Sequence, residues 1–161
     1  MLRKGFFLAI IIITAFMPQP AFSHEQVIFD NRIGGATELY LSEFTKKHLK
    51  KPLSDYDIAK IDLNGDFYDE YALKPKNCKL DARIKLFCTF ILIGEEKEKL
   101  IQLFVISAKK IAISTKKHNG IYDILAFDSK KNDYDYGRYI WSPDKKTYIK
   151  KVDMTSVDNG I

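Results

Sequence analysis

The sequence predicts an α+β domain in which one N-terminal amphipathic helix packs on an antiparallel β-meander. One segment near the start of the chain has apolar residues at helical spacing, and eight later segments show the short apolar pattern of strands, separated by turn residues. The chain has 161 residues, of which 46% are apolar and 29% charged. This composition is typical of one small globular domain and excludes collagen-like, mucin-like and wholly disordered proteins.

The helix is predicted within residues 33–51. Apolar and aromatic side chains recur there at approximately helical spacing, at Leu39, Tyr40, Phe44 and Leu49. Acidic residues come early in the segment and lysines late, which suits the helix dipole, and Pro52 prevents the helix from continuing. We therefore expect one amphipathic helix that ends before Pro52.

After Pro52 the apolar pattern is that of strands. We predict them at residues 57–63, 67–73, 86–93, 100–108, 111–114, 121–127, 136–141 and 147–152. Turn sequences such as Asn64-Gly65 and Ser142-Pro143-Asp144 connect them. The segments 86–93 and 100–106 are nearly continuous apolar runs, so we expect them at the buried centre of the sheet, under the helix.

The first 23 residues have the features of a cleaved signal peptide. Arg3 and Lys4 precede an apolar run at 6–17, and Ala21 and Ser23 occupy the small-residue positions of a cleavage site. The competing interpretation, a membrane anchor, requires about 20 apolar residues. We predict cleavage after Ser23, a single domain at 24–154, a flexible tail at 155–161, a periplasmic or secreted location, and no membrane span after cleavage.

The two cysteines, Cys78 and Cys88, are predicted to form a disulfide because an exported protein matures in an oxidising compartment. A bridge closing a loop of this size stabilises a fold by about 3 kcal/mol in the chain-entropy model. The alternative is a zinc site, which needs further ligands. The histidines are scattered without metal-ligand spacing, at His24, His48 and His118.

An acidic loop at residues 62–70 is the most specific local signal in the chain. Oxygen-bearing side chains occupy alternate positions, at Asp62, Asn64, Asp66 and Glu70. Calcium takes about six to eight oxygen ligands, and such alternation lets a short loop surround the ion with help from the Tyr68 carbonyl. We predict that any ion bound here is calcium and that Asp69 points to solvent.

The competing interpretation of this acidic loop is a metal-free turn in which Asp62 and Asn64 cap backbone amides. Phe67 favours it, because a bulky residue at a position that prefers positive φ costs about 1 to 2 kcal/mol. The loop is also not a complete EF-hand, since Leu73 stands where the bidentate acid belongs.

The acidic loop resembles the calcium loops of integrin-type β-propeller repeats. The order of motifs along the chain also resembles a family of small exported bacterial proteins. The matching motifs are Asp62-Leu63-Asn64-Gly65-Asp66, Cys88-Thr89-Phe90-Ile91-Leu92-Ile93, Asn119-Gly120-Ile121-Tyr122-Asp123-Ile124, Tyr139-Ile140-Trp141 and Lys146-Thr147-Tyr148. The family has glycine where this chain has Phe67, and a shorter, glycine-rich spacer between the cysteines. The resemblance implies an architecture and a location, but no activity.

An aromatic cluster near the C-terminus has two interpretations. It is either a stacking platform for a sugar or a protein, or the packing of a hairpin, which we favour. Its members are Tyr134, Tyr136, Tyr139, Trp141 and Tyr148.

The sequence contains no recognisable catalytic motif. We therefore expect an exported non-catalytic binding domain, which calcium would stabilise, whose partner is an unknown protein or an envelope glycan. A formal charge of +5 is too small to indicate nucleic acid as the partner. The alternatives are a cell-envelope hydrolase that uses the carboxylates of residues 62–70, and an inhibitor of a wall-lytic enzyme.

Overall fold

The computed structural model describes residues 24–78, 87–127 and 136–151, which form two antiparallel β-sheets and one short helix. The fold is therefore α+β or mainly β. The predicted signal peptide, the predicted tail at 155–161 and Tyr134 lie outside the described residues. No helix among the described residues is long and apolar enough to cross a membrane.

The chain begins its described part with a short strand, β1, and then forms the helix α1 (Gly35–Phe44), which continues as a π-helical turn at Thr45–Leu49. A 3-10 turn at Leu53–Asp55 leads into the strands. The strands are β1 (His24–Gln26), β2 (Tyr56–Ile61), β3 (Glu70–Pro75), β4 (Cys88–Glu96), β5 (Lys99–Ala108), β6 (Lys110–His118), β7 (Ile121–Phe127), β8 (Tyr136–Ser142) and β9 (Thr147–Lys151).

The prediction of one meander is wrong, because the strands divide into two sheets. The first sheet has the order β2-β3-β4-β5, and the second has the order β1-β6-β7-β8-β9. The break falls at Lys109, between β5 and β6. The main core contains side chains of both sheets, such as Leu92 and Ile124, which are fully buried. Dividing the strands lets each sheet cover an apolar face of the other, which one ten-residue helix is too short to do.

The expected burial of residues 86–93 and 100–106 is only half right. Strand β4 lies inside its sheet, and Leu92 and Ile93 are fully buried. Strand β5 is the edge of the same sheet, so one side of it has no strand neighbour and Val105 is 44% exposed. A continuous apolar run therefore did not distinguish a central strand from an edge strand that contacts a second sheet.

Helix α1 lies within the segment predicted to be helical, and its buried face matches the expected one only in part, since Phe44 is buried and Leu49 is partly buried. Leu41 and Phe44 are buried and join a second core cluster with Leu73 and Ile93 of the first sheet. Two of the residues expected on the apolar face, Leu39 and Tyr40, are 74% and 65% exposed. The helical segment ends at Lys50, whose φ of 56° is left-handed, two residues before Pro52.

The predicted disulfide between Cys78 and Cys88 is present, with 5.5 Å between the two Cα atoms. It joins the segment after β3 to the first residue of β4, two strands that pair in the first sheet. Cys88 is buried in the main core. The bridge therefore secures one end of the first sheet.

Candidate functional site

The acidic loop connects β2 to β3 and is attached to the second sheet. Leu63 is buried, and its carbonyl accepts a hydrogen bond of 2.7 Å from the Tyr122 amide. Lys117 donates from Nζ to the Asn64 carbonyl at 2.6 Å. Because β6 and β7 supply these contacts, the loop lies where the two sheets meet.

Asp62 organises the first half of the acidic loop by accepting backbone amides. Its Oδ1 accepts from Gly65 at 2.6 Å and from Asn64 at 3.2 Å, and its Oδ2 lies 3.3 Å from the Phe67 amide. Burial alone would raise the pKa of Asp62, but these amide hydrogen bonds outweigh it and the pKa is lowered. Asp62 is therefore held ionised by its own loop.

Asn64 and Asp66 continue the same pattern. Asn64 Oδ1 accepts from the Asp66 amide and Asp66 Oδ1 accepts from the Tyr68 amide, both at 2.8 Å. The side-chain amide of Asn64 also donates to Asp66 Oδ2 at 2.8 Å and lies 3.4 Å from Glu70 Oε1. The uncharged Asn64 amide thus lies between Asp66 and Glu70, two carboxylates that the sequence predicts to bind the same cation.

Whether the acidic loop suits a metal ion depends on this Asn64 amide. Carboxylate and amide oxygens are the ligands that calcium prefers, and each carboxylate oxygen accepts more than one bond, so the donor set is chemically suitable. In the described parts of the chain, however, no three His, Cys, Asp or Glu side chains are grouped closely enough to hold an ion. The loop would have to turn Asn64 so that its oxygen faces inward. The calcium site stays a prediction.

Asp69 was expected to point to solvent, and it lies at the surface with its side chain 40% exposed. It also forms an ion pair with Lys60, with 2.7 Å between Oδ2 and Nζ. Its exclusion from the predicted ligand set is compatible with this position.

The backbone at the tip of the acidic loop is left-handed at two residues. Gly65 has φ of 80°, a conformation that favours glycine, and a Cβ there would lie 2.6 Å from the mobile end of the Lys117 side chain. Phe67 has φ of 66° and is 95% exposed. The strain expected at Phe67 is therefore real, and the loop accommodates it without burying the ring.

Glu70 closes the acidic loop and is only half-buried. Its Oε2 accepts a hydrogen bond of 2.7 Å from the Leu63 amide. Burial raises the pKa of Glu70, the charges of Asp66 and Asp62 add to the effect, and the Leu63 amide opposes it. The fold thus makes Glu70 harder to ionise.

A groove of about 350 Å³ opens beside Glu70, at one end of the gap between the two sheets. The acidic loop forms one wall, the tip of the β4-β5 hairpin another, and the β8-β9 hairpin the third. Its lining is mainly apolar and aromatic, with a few charged side chains, and includes Leu63, Glu70, Glu95, Glu96, Ile101, Leu103, Ile121, Trp141, Lys146 and Tyr148.

The predicted aromatic cluster is mainly packing. Tyr148 is buried and its hydroxyl donates to the Tyr122 carbonyl at 3.0 Å, while Tyr139 packs against Phe104. Trp141 packs edge-on against Tyr148, with 5.4 Å between ring centroids, and also lines the groove. Among the described members of the cluster, Trp141 and Tyr148 thus line the groove.

A buried ionic cluster formed by His118, Asp123 and Arg138 was not predicted. Asp123 has no exposed surface, and its Oδ1 lies 2.7 Å from His118 Nδ1. Its Oδ2 accepts from Arg138 Nε at 2.7 Å, and the buried Nη2 of the same arginine lies 2.6 Å from that oxygen without an aligned hydrogen bond. The one signal in the sequence was a single acid inside the apolar strand at 121–127.

The groove brings together an aromatic ring, apolar side chains and a half-buried carboxylate. No family model matches the chain, and no curated protein sequence and no solved structure matches it significantly.

Proposed function

We propose that this chain is an exported, non-catalytic binding domain and that its ligand, part of a protein or of an envelope glycan, lies in the groove beside Glu70. The observation that carries the proposal is the groove itself. Its volume of about 350 Å³ lies within the range of about 300 to 1,000 Å³ for ligand sites. It combines Trp141 with a small number of polar groups, which is the composition of ligand sites.

Export is part of the proposal and has two supports. The predicted signal peptide accounts for the first 23 residues, and the Cys78–Cys88 bridge is of a kind that persists in oxidising compartments. A signal peptide and a disulfide are expected of a periplasmic protein and of a secreted protein alike.

Calcium is the ion that we propose for the acidic loop, held by Asp62, Asn64, Asp66, Glu70 and the Tyr68 carbonyl. The attachment of Asn64 and Leu63 to the second sheet supports it, because a loop fixed at two points loses less entropy on binding an ion. Bound calcium would hold the wall of the groove that the loop forms.

A cell-envelope hydrolase is the second candidate. Glu70 and Glu96 line the same groove, and burial raises the pKa of Glu70, as expected of a general acid. Against this, Glu96 is paired with Lys146 and Glu70 with the Leu63 amide, so both carboxylates have structural partners.

Fluorescence of Trp141 provides the test, because it is the only tryptophan in the chain and it lines the groove. Purified mature protein is titrated with soluble peptidoglycan fragments, glycans and peptides, and its thermal unfolding is followed in parallel. We expect a saturable fluorescence change and a raised Tm for at least one ligand, without release of product.

Two results would contradict the binding function. The first is a panel in which no ligand changes fluorescence or Tm. The second is turnover of a glycan that Asp66→Asn abolishes, which would establish the hydrolase instead.

A further inference from the structure

Three acidic residues line the groove: Glu70, Glu95 and Glu96. Glu96 Oε1 lies 2.5 Å from Lys146 Nζ, an ion pair that joins the β4-β5 tip to the β8-β9 turn. Glu95 is exposed to solvent, whereas Glu70 is half-buried. Glu70 forms no ion pair with any residue of the described ranges, and its neighbours are the Leu63 amide and the Asn64 side chain. Within the described ranges, Glu70 is therefore the half-buried carboxylate of the groove that has no cationic partner.

The surroundings make the potential at Glu70 more negative. Asp62 and Asp66 raise the pKa of Glu70 through their charges. Burial raises the pKa of Tyr148, and the charges of Glu70 and Asp123 raise it further. The neighbouring cation, Lys117, is bound to the Asn64 carbonyl and lies 4.2 Å from the centre of the Tyr122 ring.

The rest of the groove is suited to an apolar or flat skeleton. Trp141, Ile121 and Leu103 supply most of that surface. Gly94 forms part of it with no side chain, and a Cβ there would lie 2.7 Å from Leu103 Cδ1. A ligand can thus contact the apolar wall while one end reaches Glu70.

We infer that the groove binds an organic cation, whose primary ammonium group pairs with Glu70 and whose carbon skeleton packs on Trp141. The inference rests on the proposed binding function and names the ligand chemistry for the same site. A neutral ligand would cover Glu70 without compensating its charge, which is costly, whereas an ammonium supplies both the charge and the hydrogen bonds. The ion pair between Lys146 and Glu96 is an example of the same pairing of an ammonium with a carboxylate within the chain.

Matched pairs of probes test the inference by isothermal titration of calcium-free protein at neutral pH, because calcium in the loop would also use Glu70. Pentylamine is compared with 1-pentanol, and glucosamine with N-acetylglucosamine. We expect each amine that binds to do so about tenfold or more tightly than its neutral match. Preference for pentylamine identifies an alkylamine as the source of the ammonium, and preference for glucosamine identifies an amino sugar.

Three variants localise the effect. Glu70→Gln keeps an oxygen for the Leu63 amide and should abolish the preference for amines, whereas Glu43→Gln, an exposed acid on α1, should retain it. Lys146→Asn frees Glu96 and should strengthen amine binding severalfold. Asparagine tolerates the φ of 48° at that position, so this variant should fold.

Neutral ligands that bind as tightly as the amines would overturn the inference and leave the binding function standing. Amine binding that survives Glu70→Gln unchanged would overturn it as well. If no amine binds and no ligand of the wider panel binds either, both the organic-cation inference and the proposed binding function fail.

Discussion

The acidic loop and the buried ionic cluster hold carboxylates in two different ways within one small domain. In the loop, Asp62 and Asp66 accept amides from residues no more than five positions away. In the buried cluster, Asp123 accepts from Arg138, fifteen residues away on the neighbouring strand, and from His118 across a hairpin turn. The first is exposed and local, and the second is buried and depends on the sheet.

The difference shows what a carboxylate contributes in each place. Amide donors in a short loop hold an exposed carboxylate at little cost, because water still solvates its other lone pairs. A fully buried carboxylate has lost water, so it depends on the groups that face it, here the Arg138 guanidinium and the His118 ring. The loop is therefore suited to exchange partners with a ligand, and the buried cluster is suited to hold strands together.

Removing the buried carboxylate of Asp123 should have the largest effect on stability. Asp123→Ala leaves Arg138 with its charge mostly buried and without its partner, and should lower the free energy of unfolding by about 3 to 5 kcal/mol. Urea unfolding measures it. Asp69→Ala is the control, since its ion pair with Lys60 is exposed and should contribute at most about 1 kcal/mol. Equal losses in the two variants would contradict the comparison.

Calcium should have the next largest effect, and only through the acidic loop. At about 100 times its Kd, an ion that binds only the folded state adds about 2.7 kcal/mol of stability. Asp66→Ala should abolish the gain, and Asp69→Ala should retain it. Thermal unfolding with calcium and with chelator makes the measurement. Identical melts for the native protein would show that the loop is an ordinary turn.

Relief of backbone strain should give a smaller, favourable change. Phe67→Gly removes a bulky side chain from φ of 66° and should raise the free energy of unfolding by about 1 kcal/mol, because the ring is 95% exposed and loses no packing. Tyr68→Gly, at the adjacent exposed aromatic residue without positive φ, should give no gain. A loss of stability in Phe67→Gly would show that the ring has contacts of its own.

Substitution of Glu70 should cause the smallest change in the free energy of unfolding, and this change should depend on pH. Because burial raises the pKa of Glu70 in the folded protein, its contribution is fully present below the ordinary pKa of glutamate and is lost as pH rises through the folded value. Glu70→Gln should therefore be more stable than the native protein at neutral pH and equal to it in acid. Urea unfolding in chelator across this range tests it, and a difference that does not vary with pH would refute the assignment.

Much of the acidic loop was predictable because its interactions are local. Alternate oxygen-bearing side chains followed by glycine specify a turn of amide-accepting carboxylates, and that turn is present. The role of Glu70 was not predictable, because Glu70 belongs to the acidic loop and also lines the groove with Trp141 and Leu103. Those residues come from separate hairpins, and no pattern along the chain relates them.

The sequence by itself determined the features that depend on near neighbours: the eight predicted strands, the turns between them, a helical segment before Pro52, and a disulfide with only one possible pairing. The tertiary structure decided how those strands divide into two sheets, which face of α1 is buried, and that Asp123 meets Arg138. The physical reason is that periodicity records which side chains share a face of one element. Which two faces exclude water together is settled only when the whole chain packs.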